Sequence, residues 1–403
     1  MDSILQLSQT VEINKLYLLV FFIIGLLNNL SYSMVFVGSH NIVWRLKERD
    51  FIGLVILCLV SMDFFILIAN LVFFLGIANL RRIGVCTVVL SVSMALVAIT
   101  IHQGNQFFPM ALSAFAAIGM VSSIGECVNL GMLKEFYSNY LFGFTSGTGS
   151  SRIFAASIWL LIRSFYKDDL YIWIGLTSIG ILYFVLFRFI SAKVKDGSLG
   201  NRNVELTIFF SNDISSEIVS PQTGNAYFSK FQLVFLLKST KYFALILSVS
   251  YFCEALITIG LADRISIKLE RYHNKNYFTR NMYEVMQFCY YFGIIIGKSM
   301  VKLVKFKNLW VLILLQILNV ALLSTECYIS FIPYWAEFFI SFWVGILGGL
   351  CYSNVFNCLL KSNEISKYFK EAASNLVLIM ANFGIILASM ATILIDKYLI
   401  SFE

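Results

Sequence analysis

The chain has 403 residues, of which 59% are hydrophobic and only 13% charged, with three prolines and a mean hydropathy of +0.80. Soluble domains are about half apolar and a quarter charged, so these values identify a polytopic membrane protein and leave no room for a soluble catalytic domain. The net charge of +7 points away from nucleic acid because the basic residues are spread over the segments between apolar runs, as membrane topology requires.

Stretches of about 20 apolar residues predict eleven membrane helices, at 16–40, 51–76, 83–101, 107–133, 139–162, 170–190, 240–262, 281–300, 308–327, 332–360 and 372–396. The first is preceded by Glu12 and Lys15 rather than a basic cluster and has no small-residue cleavage site after it, so it reads as an uncleaved first helix. It carries Asn28 and Tyr32 on one face and ends near His40. On the second helix Asp63 and Asn70 share a face. These polar groups are expected to line a cavity or to bond between helices.

Glu126 lies in the apolar run of the fourth helix, with Ser122 and Ser123 a turn before and Asn129 a turn after. A carboxylate at that depth costs about 3 kcal/mol on insertion scales, so it should face a protein-lined pathway. The fifth helix holds Thr145-Ser146-Gly147-Thr148-Gly149-Ser150-Ser151-Arg152. Helical spacing puts Thr145, Thr148, Gly149, Arg152 and Ala156 on one face, a small polar stripe that ends in a guanidinium. Two readings stand: Arg152 pairs with Glu126, or Arg152 binds an anionic substrate group while Glu126 carries a proton or cation.

The polar insertion 191–238, with Pro221, is the expected linker between a six-helix bundle, 1–190, and a five-helix bundle, 239–403. Beyond it, Glu254 has Ser250 and Thr258 one turn to either side and is a second candidate proton carrier, with a packing hydrogen bond as the alternative. Gly293-Ile294-Ile295-Ile296-Gly297-Lys298-Ser299 imitates a phosphate-binding loop, yet it is one residue short and sits inside an apolar helix. Together with Gly143/Gly147 and Gly345/Gly349 it reads as a small-residue packing face, with Lys298 marking the helix end. Asn354 and Asn357 lie near one another on the tenth helix.

The eight cysteines fall singly in apolar runs and none of the three histidines has a metal-ligand or catalytic neighbour, so no cofactor, metal, disulfide framework or enzymatic activity is expected. His40 and His102 fall at predicted helix ends and His273 in a charged loop, as interface or solvated groups. Lys15, Arg81, Arg82, Lys134, the linker and the group Lys302, Lys305 and Lys307 place the N-terminus and linker in the cytosol, although Arg264, Lys268, Arg271, Lys275 and Arg280 in the predicted loop 263–280 oppose that assignment.

Several segments resemble, in order, those of the battenin family of endolysosomal and fungal vacuolar membrane proteins. They are Gly25-Leu26-Leu27-Asn28-Asn29-Leu30-Ser31-Tyr32 followed by His40, Ser122-Ser123-Ile124-Gly125-Glu126, Phe136-Tyr137, Ser146-Gly147-Thr148-Gly149, Tyr251-Phe252-Cys253-Glu254 with Gly260, and Gly345-Ile346-Leu347-Gly348-Gly349 with Tyr352, Asn354 and Phe356. The resemblance implies a fold similar to the major facilitator superfamily, two helical bundles around a central cavity. It also implies residence in a lysosomal or vacuolar membrane, and a role in moving small metabolites, basic amino acids or glycerophosphodiesters, with protons or lumenal pH linked to that movement.

This chain departs from the family pattern at Ser150, Ser151 and Arg152, at Glu284 where an arginine is usual, at Lys298 in place of an arginine, and at Val344 and Ala381 in place of acidic residues. Arg280, one turn before Glu284, is the expected spatial substitute for the missing cation. The candidate substrate and coupling residues are thus Glu126, Arg152, Glu254, Thr145, Thr148, Asn28, Tyr32, Asp63, Glu284 and Asn354. The partners expected are the bilayer, a small molecule and a proton, and no nucleic acid. A nucleoside-type facilitator and a non-transporting scaffold for trafficking or pH control are the rival functions.

Overall fold

The computed structural model describes residues 15–48, 51–69, 77–103, 107–133, 138–165, 170–195, 230–273, 277–300, 304, 306, 308–362, 365 and 370–399. The core of the expected linker, Asn70, Phe136-Tyr137 and Lys302 lie outside the described residues. The first half consists of α1 (Lys15–Arg45), α2 (Ile52–Ala69), α3 (Asn79–Gln103), α4 (Phe108–Leu133), α5 (Ser138–Phe165), α6 (Leu170–Leu176) and α7 (Ile179–Lys195). The second consists of α8 (Lys230–Ala255), a π-helical segment (Leu256–Leu261), α9 (Ala262–His273), α10 (Tyr277–Arg280), α11 (Met282–Ser299), α12 (Trp310–Ile329), α13 (Tyr334–Lys361) and α14 (Lys370–Leu399).

Among the described residues, eight helical stretches are long and apolar enough to cross a membrane. The helices α2, α5 and α11 complete the eleven expected. The apolar run of α2 is short, Ile52–Ile66, and α5 and α11 are diluted by the polar residues that give them their interest.

Three boundaries differ from the sequence expectation. The sixth predicted helix is broken at Thr177 and Ser178, where both hydroxyls turn back onto backbone carbonyls of the preceding turn. The seventh starts at Lys230 and runs without interruption to His273, so the predicted charged loop 263–280 is mostly helix. Polar groups made 263–268 look like a loop, but Asp263 is fully buried and Arg264 bonds Asp396 at 2.9 Å, so their charges are met by distant partners. Likewise α1 continues to Arg45, so His40 is a buried mid-helix residue rather than a helix end.

Glycine lets the tightest helix pairs form. On α5, a Cβ on Gly143 or Gly147 would run into the backbone carbonyls of Leu18 and Phe22 in α1. On α11 and α13, Gly293, Gly297, Gly345 and Gly349 meet the partner backbone in the same way, which disposes of the phosphate-loop likeness. Lipid tails are as apolar as leucine, so helices in a bilayer associate through close packing, and lost contact is not recovered elsewhere. Gly147→Ala should therefore lower the melting temperature of the purified protein by the equivalent of about 1–3 kcal/mol. Gly149→Ala, where a Cβ meets nothing within 4 Å, should leave it unchanged or raise it slightly. Equal effects at the two positions would refute this packing account.

The halves are joined by α2 against α14 and by α5 against α11. Chain direction places the end of α1, the start of α2, the end of α5, the start of α11 and the end of α14 at one end of the molecule. Inter-half contacts concentrate there, at the sealed end. The ends of α7 and α8 that flank the linker lie at the other.

Candidate functional site

The midsection is built around Arg152 of α5. Its guanidinium lies 5.6 Å from the ring centroid of Phe36 in α1 and 5.5 Å from that of Tyr291 in α11, so it is held by aromatic faces from both halves. No ion pair within 4 Å joins it to Glu126, both being described residues; the first of the two sequence readings is not what the structure contains. Instead Glu126 of α4 and Asp63 of α2 lie within electrostatic range of each other and of Arg152, with the Tyr32 hydroxyl in the same field. A guanidinium that leans on rings keeps its N–H groups free to take an anion, while two carboxyls close by are positioned to exchange a proton or attract a cation.

Across the midline a second polar group faces it. Lys298 of α11 sits 4.3 Å from the ring centroid of Tyr352 on α13 and is within electrostatic range of both Arg152 and Glu254. Glu254 of α8 is buried, accepts hydrogen bonds from Ser250 Oγ at 2.8 Å and Tyr290 OH at 2.7 Å, and presses on Gly348, where any side chain would collide with its carboxylate. Glu254 therefore has a fixed cradle contributed by three helices, α8, α11 and α13.

The stripe on α5 shows where this region opens. Ala156 is fully buried, Arg152 is partly buried, and Gly149 and Thr145 are exposed, in order from the sealed end toward the linker end. On α11 the same progression runs from buried Glu284 and Gln287 through Tyr291 to exposed Lys298. The polar centre is thus reached from the linker end and closed from the other.

Closure is polar. His40 of α1 bonds Asp263 of α9 and stacks on Tyr283 of α11, with ring centroids 5.3 Å apart. Ser39 shares a hydrogen bond of 3.1 Å with the Tyr283 hydroxyl. Glu284 accepts from Arg163 Nη1 of α5 at 3.0 Å and from Asn41 of α1 on the same oxygen. Nearby, the Tyr277 hydroxyl donates to the Leu160 carbonyl. Arg280, the substitute expected from sequence, is exposed; Arg163 supplies the cation instead.

Of the ten candidates, the structure brings Tyr32, Asp63, Glu126 and Arg152 together, with Thr145 along the same open face and Glu254 facing from the other half. The Thr148 hydroxyl bonds back to the Thr145 carbonyl at 2.9 Å. Asn28 donates to the Ser122 carbonyl at 3.0 Å and so pins α1 to α4. Asn354 accepts from Phe306 N at 3.1 Å and donates to the Leu350 and Val304 carbonyls, holding the chain after α11 rather than facing the centre. Glu284 belongs to the sealed end, two turns from Tyr291. Sequence reasoning passed over Tyr290 and Tyr291. The signal was there: Glu284, Gln287, Tyr291 and Lys298 recur at three, four and seven residues, one face of a helix.

The sequence profile of the family described as CLN3 protein matches residues 19–402. The chain belongs to the CLN3 family. Among its relatives, battenin of Dictyostelium discoideum is 24% identical over 95% of this chain and 94% of its own length, and protein BTN1 of Candida glabrata is 26% identical over 92% of each. Two solved structures show the same fold. A mutant of the nucleoside transporter NupG matches with a TM-score of 0.60, 15% identity, and coverage of 94% of this chain and 91% of its own. A bacterial homologue of the human lysosomal transporter Spinster, inward-facing and unoccupied, matches with a TM-score of 0.59, 12% identity, and coverage of 93% and 81%. The chain is therefore a membrane protein of the CLN3 family, helical throughout the regular structure of its described residues, and it shares the fold of these two structures.

Proposed function

We propose that the protein is a secondary active transporter of small metabolites, basic amino acids or glycerophosphodiesters, in the membrane of a lysosome or vacuole, and that its activity is linked to lumenal pH. The observation that carries this reading is the Arg152 centre: a guanidinium held by rings from both halves, with carboxyls to either side, open at one end of the molecule and closed at the other. Alternating access places its sites at such a midplane junction. Arg152 and Lys298 supply cationic contacts for a phosphodiester or carboxylate, and Asp63, Glu126 and Glu254 supply partners for an ammonium group or carriers for a proton. Helices up to Lys195 form the first bundle and those from Lys230 the second, joined by the linker.

The N-terminus and linker face the cytosol. The strongest sequence objection to that orientation, the basic segment 263–280, is weakened because Arg264 bonds Asp396 and Lys268 donates to the Cys327 and Tyr328 carbonyls, so neither is a free loop charge. The open end is then the cytosolic one.

The ring-rich lining, with Tyr32, Phe36, Tyr291 and Tyr352, also favours a second reading, a facilitator that stacks a nucleobase, in keeping with the likeness to a nucleoside transporter. Metabolite profiling of acidic organelles purified from cells with and without the protein tests both. Selective accumulation of glycerophosphodiesters or basic amino acids without it supports the first reading, and accumulation of nucleosides the second. An unchanged profile overturns transport and leaves a scaffold.

A further inference from the structure

We propose that Glu337 is a proton-carrying carboxyl on a path through the second half of the molecule, separate from the central opening, that connects the sealed end with Glu254. This rests on the transporter reading above and names the route by which its coupling proton travels.

Glu337 lies in the first turn of α13, where an acid ordinarily serves the helix N-terminus from a solvated position. Here the residue is fully buried, and among the described residues neither carboxyl oxygen has a hydrogen-bond partner. The groups around it are engaged elsewhere. Glu326 of α12, in whose field it lies, receives the Phe331 and Ile332 amides on one oxygen at 2.9 and 2.8 Å. Lys268 of α9 donates to the Cys327 and Tyr328 carbonyls at 3.1 and 3.4 Å, Arg264 of α9 bonds Asp396 of α14, and the Cys327 thiol, the other titratable group in its field, donates to the Leu261 carbonyl. A buried carboxyl that neither caps, pairs nor bridges contributes nothing to packing that an apolar residue would not do better.

One turn along the same face of α13 is Ser341, and Ser341 lines a cavity about the size of one water molecule. The other polar walls are Thr258, Gln287 and Tyr290. Gln287 donates to the Thr258 carbonyl at 2.6 Å, a carbonyl in the π-helical segment, and its own side-chain oxygen is buried without a partner among the described residues. That oxygen and the Ser341 hydroxyl offer a water the two or more contacts it needs. Tyr290, on the far wall, already donates to Glu254. Ser341, the cavity, Tyr290 and Glu254 thus form a file of exchangeable groups, and Glu337, one turn from Ser341 and not bonded to it, joins the file when its carboxyl turns toward that hydroxyl. π-helical segments recur at functional sites, and this one supplies the wall opposite Ser341.

Protons balance along the file. Once its carboxyl has turned toward Ser341, Glu337 releases its proton to that hydroxyl as Ser341 passes its own to water in the cavity; that water gives one to Tyr290, and Tyr290 gives its hydroxyl proton to the Glu254 carboxylate. The net change is one proton moved, Glu337 left ionised and Glu254 neutral, after which Glu337 is recharged from the sealed end.

The test uses the full chain in proteoliposomes with a trapped pH-sensitive dye, and arginine and glycerophosphocholine as probes. Glu337→Gln is isosteric and stands outside the central opening. It should reduce probe-coupled proton flux by at least about tenfold, with probe counterflow unchanged. Ser341→Val, which removes the hydroxyl and fills the cavity, should reproduce that split. Parallel loss of flux and counterflow in both variants, or loss of neither, overturns the proposal. If the unaltered protein moves neither probe, the transporter reading fails on its own, and infrared difference spectra decide the carboxyl. A titrating, deuterium-sensitive carboxyl band missing from Glu337→Gln supports the path, and its absence from the unaltered protein refutes it.

Discussion

Arg163→Ala should unseal the closed end. Glu284 is 1% exposed and takes both its described hydrogen bonds, from Arg163 and Asn41, on one oxygen. Removing the guanidinium leaves a buried carboxylate with only an amide beside it, and truncating one partner of such a pair costs about 3–5 kcal/mol. The pair spans α5 and α11, so most of that cost falls on the sealed arrangement and is relieved when the halves part. A differential of about 3 kcal/mol shifts a two-state population by about a hundredfold. In a cysteine-free background, Ser39→Cys should change from protected to labelled by a membrane-impermeant maleimide applied from that side once Arg163→Ala is added. Glu284→Gln on top of Arg163→Ala should restore protection, because the orphaned charge is gone. Labelling that stays low in Arg163→Ala would mean the ion pair does not hold the seal.

Glu126→Gln should abolish proton-driven uptake, by about a hundredfold or more, and leave the protein folded and inserted. The geometry makes the two outcomes separable. Arg152 rests on Phe36 and Tyr291 and forms no ion pair with Glu126, so neutralising Glu126 removes no support from Arg152. The melting temperature should stay within about 2 °C of the parent. Were Glu126 a structural partner, stability would fall and uptake would merely follow it. Uptake that persists at normal rates would exclude proton coupling through this residue and turn attention to Glu254.

The helices were legible because their physics is local: an apolar run of membrane length is visible in any window of the sequence, and the glycine pairs of α5, α11 and α13 recur at the four-residue spacing that defines a helix face. Glu126 and Arg152 were legible because charge in an apolar run is costly. What could not be read is who answers each charge. Glu284 is paired by Arg163, 121 residues earlier, while the nearby Arg280 points to solvent. Asp263 and Arg264 looked like loop residues because their partners, His40 and Asp396, come from α1 and α14. Glu337 was hidden in a different way: an acid in the first turn of a helix is so ordinary that nothing in the sequence separates a solvated one from a buried one.

The seal between the halves has a mechanical consequence. Beside the apolar packing of α2 against α14, its polar part is made of an imidazole, two carboxyls, a guanidinium, an amide and hydroxyls, set among aromatic rings. When such an interface comes apart, water replaces nearly every bond that was lost, so the net change per hydrogen bond is about 1 kcal/mol or less. A greasy plug would behave otherwise, since each Å² wetted would cost about 25 cal/mol. Polar faces also do not stick to whatever passes while they are apart. This polar part of the closed end can therefore behave as a zip fastener that opens and recloses through many cycles, with the backbone-to-backbone contacts of α1 with α5 and of α11 with α13 remaining intact inside each half.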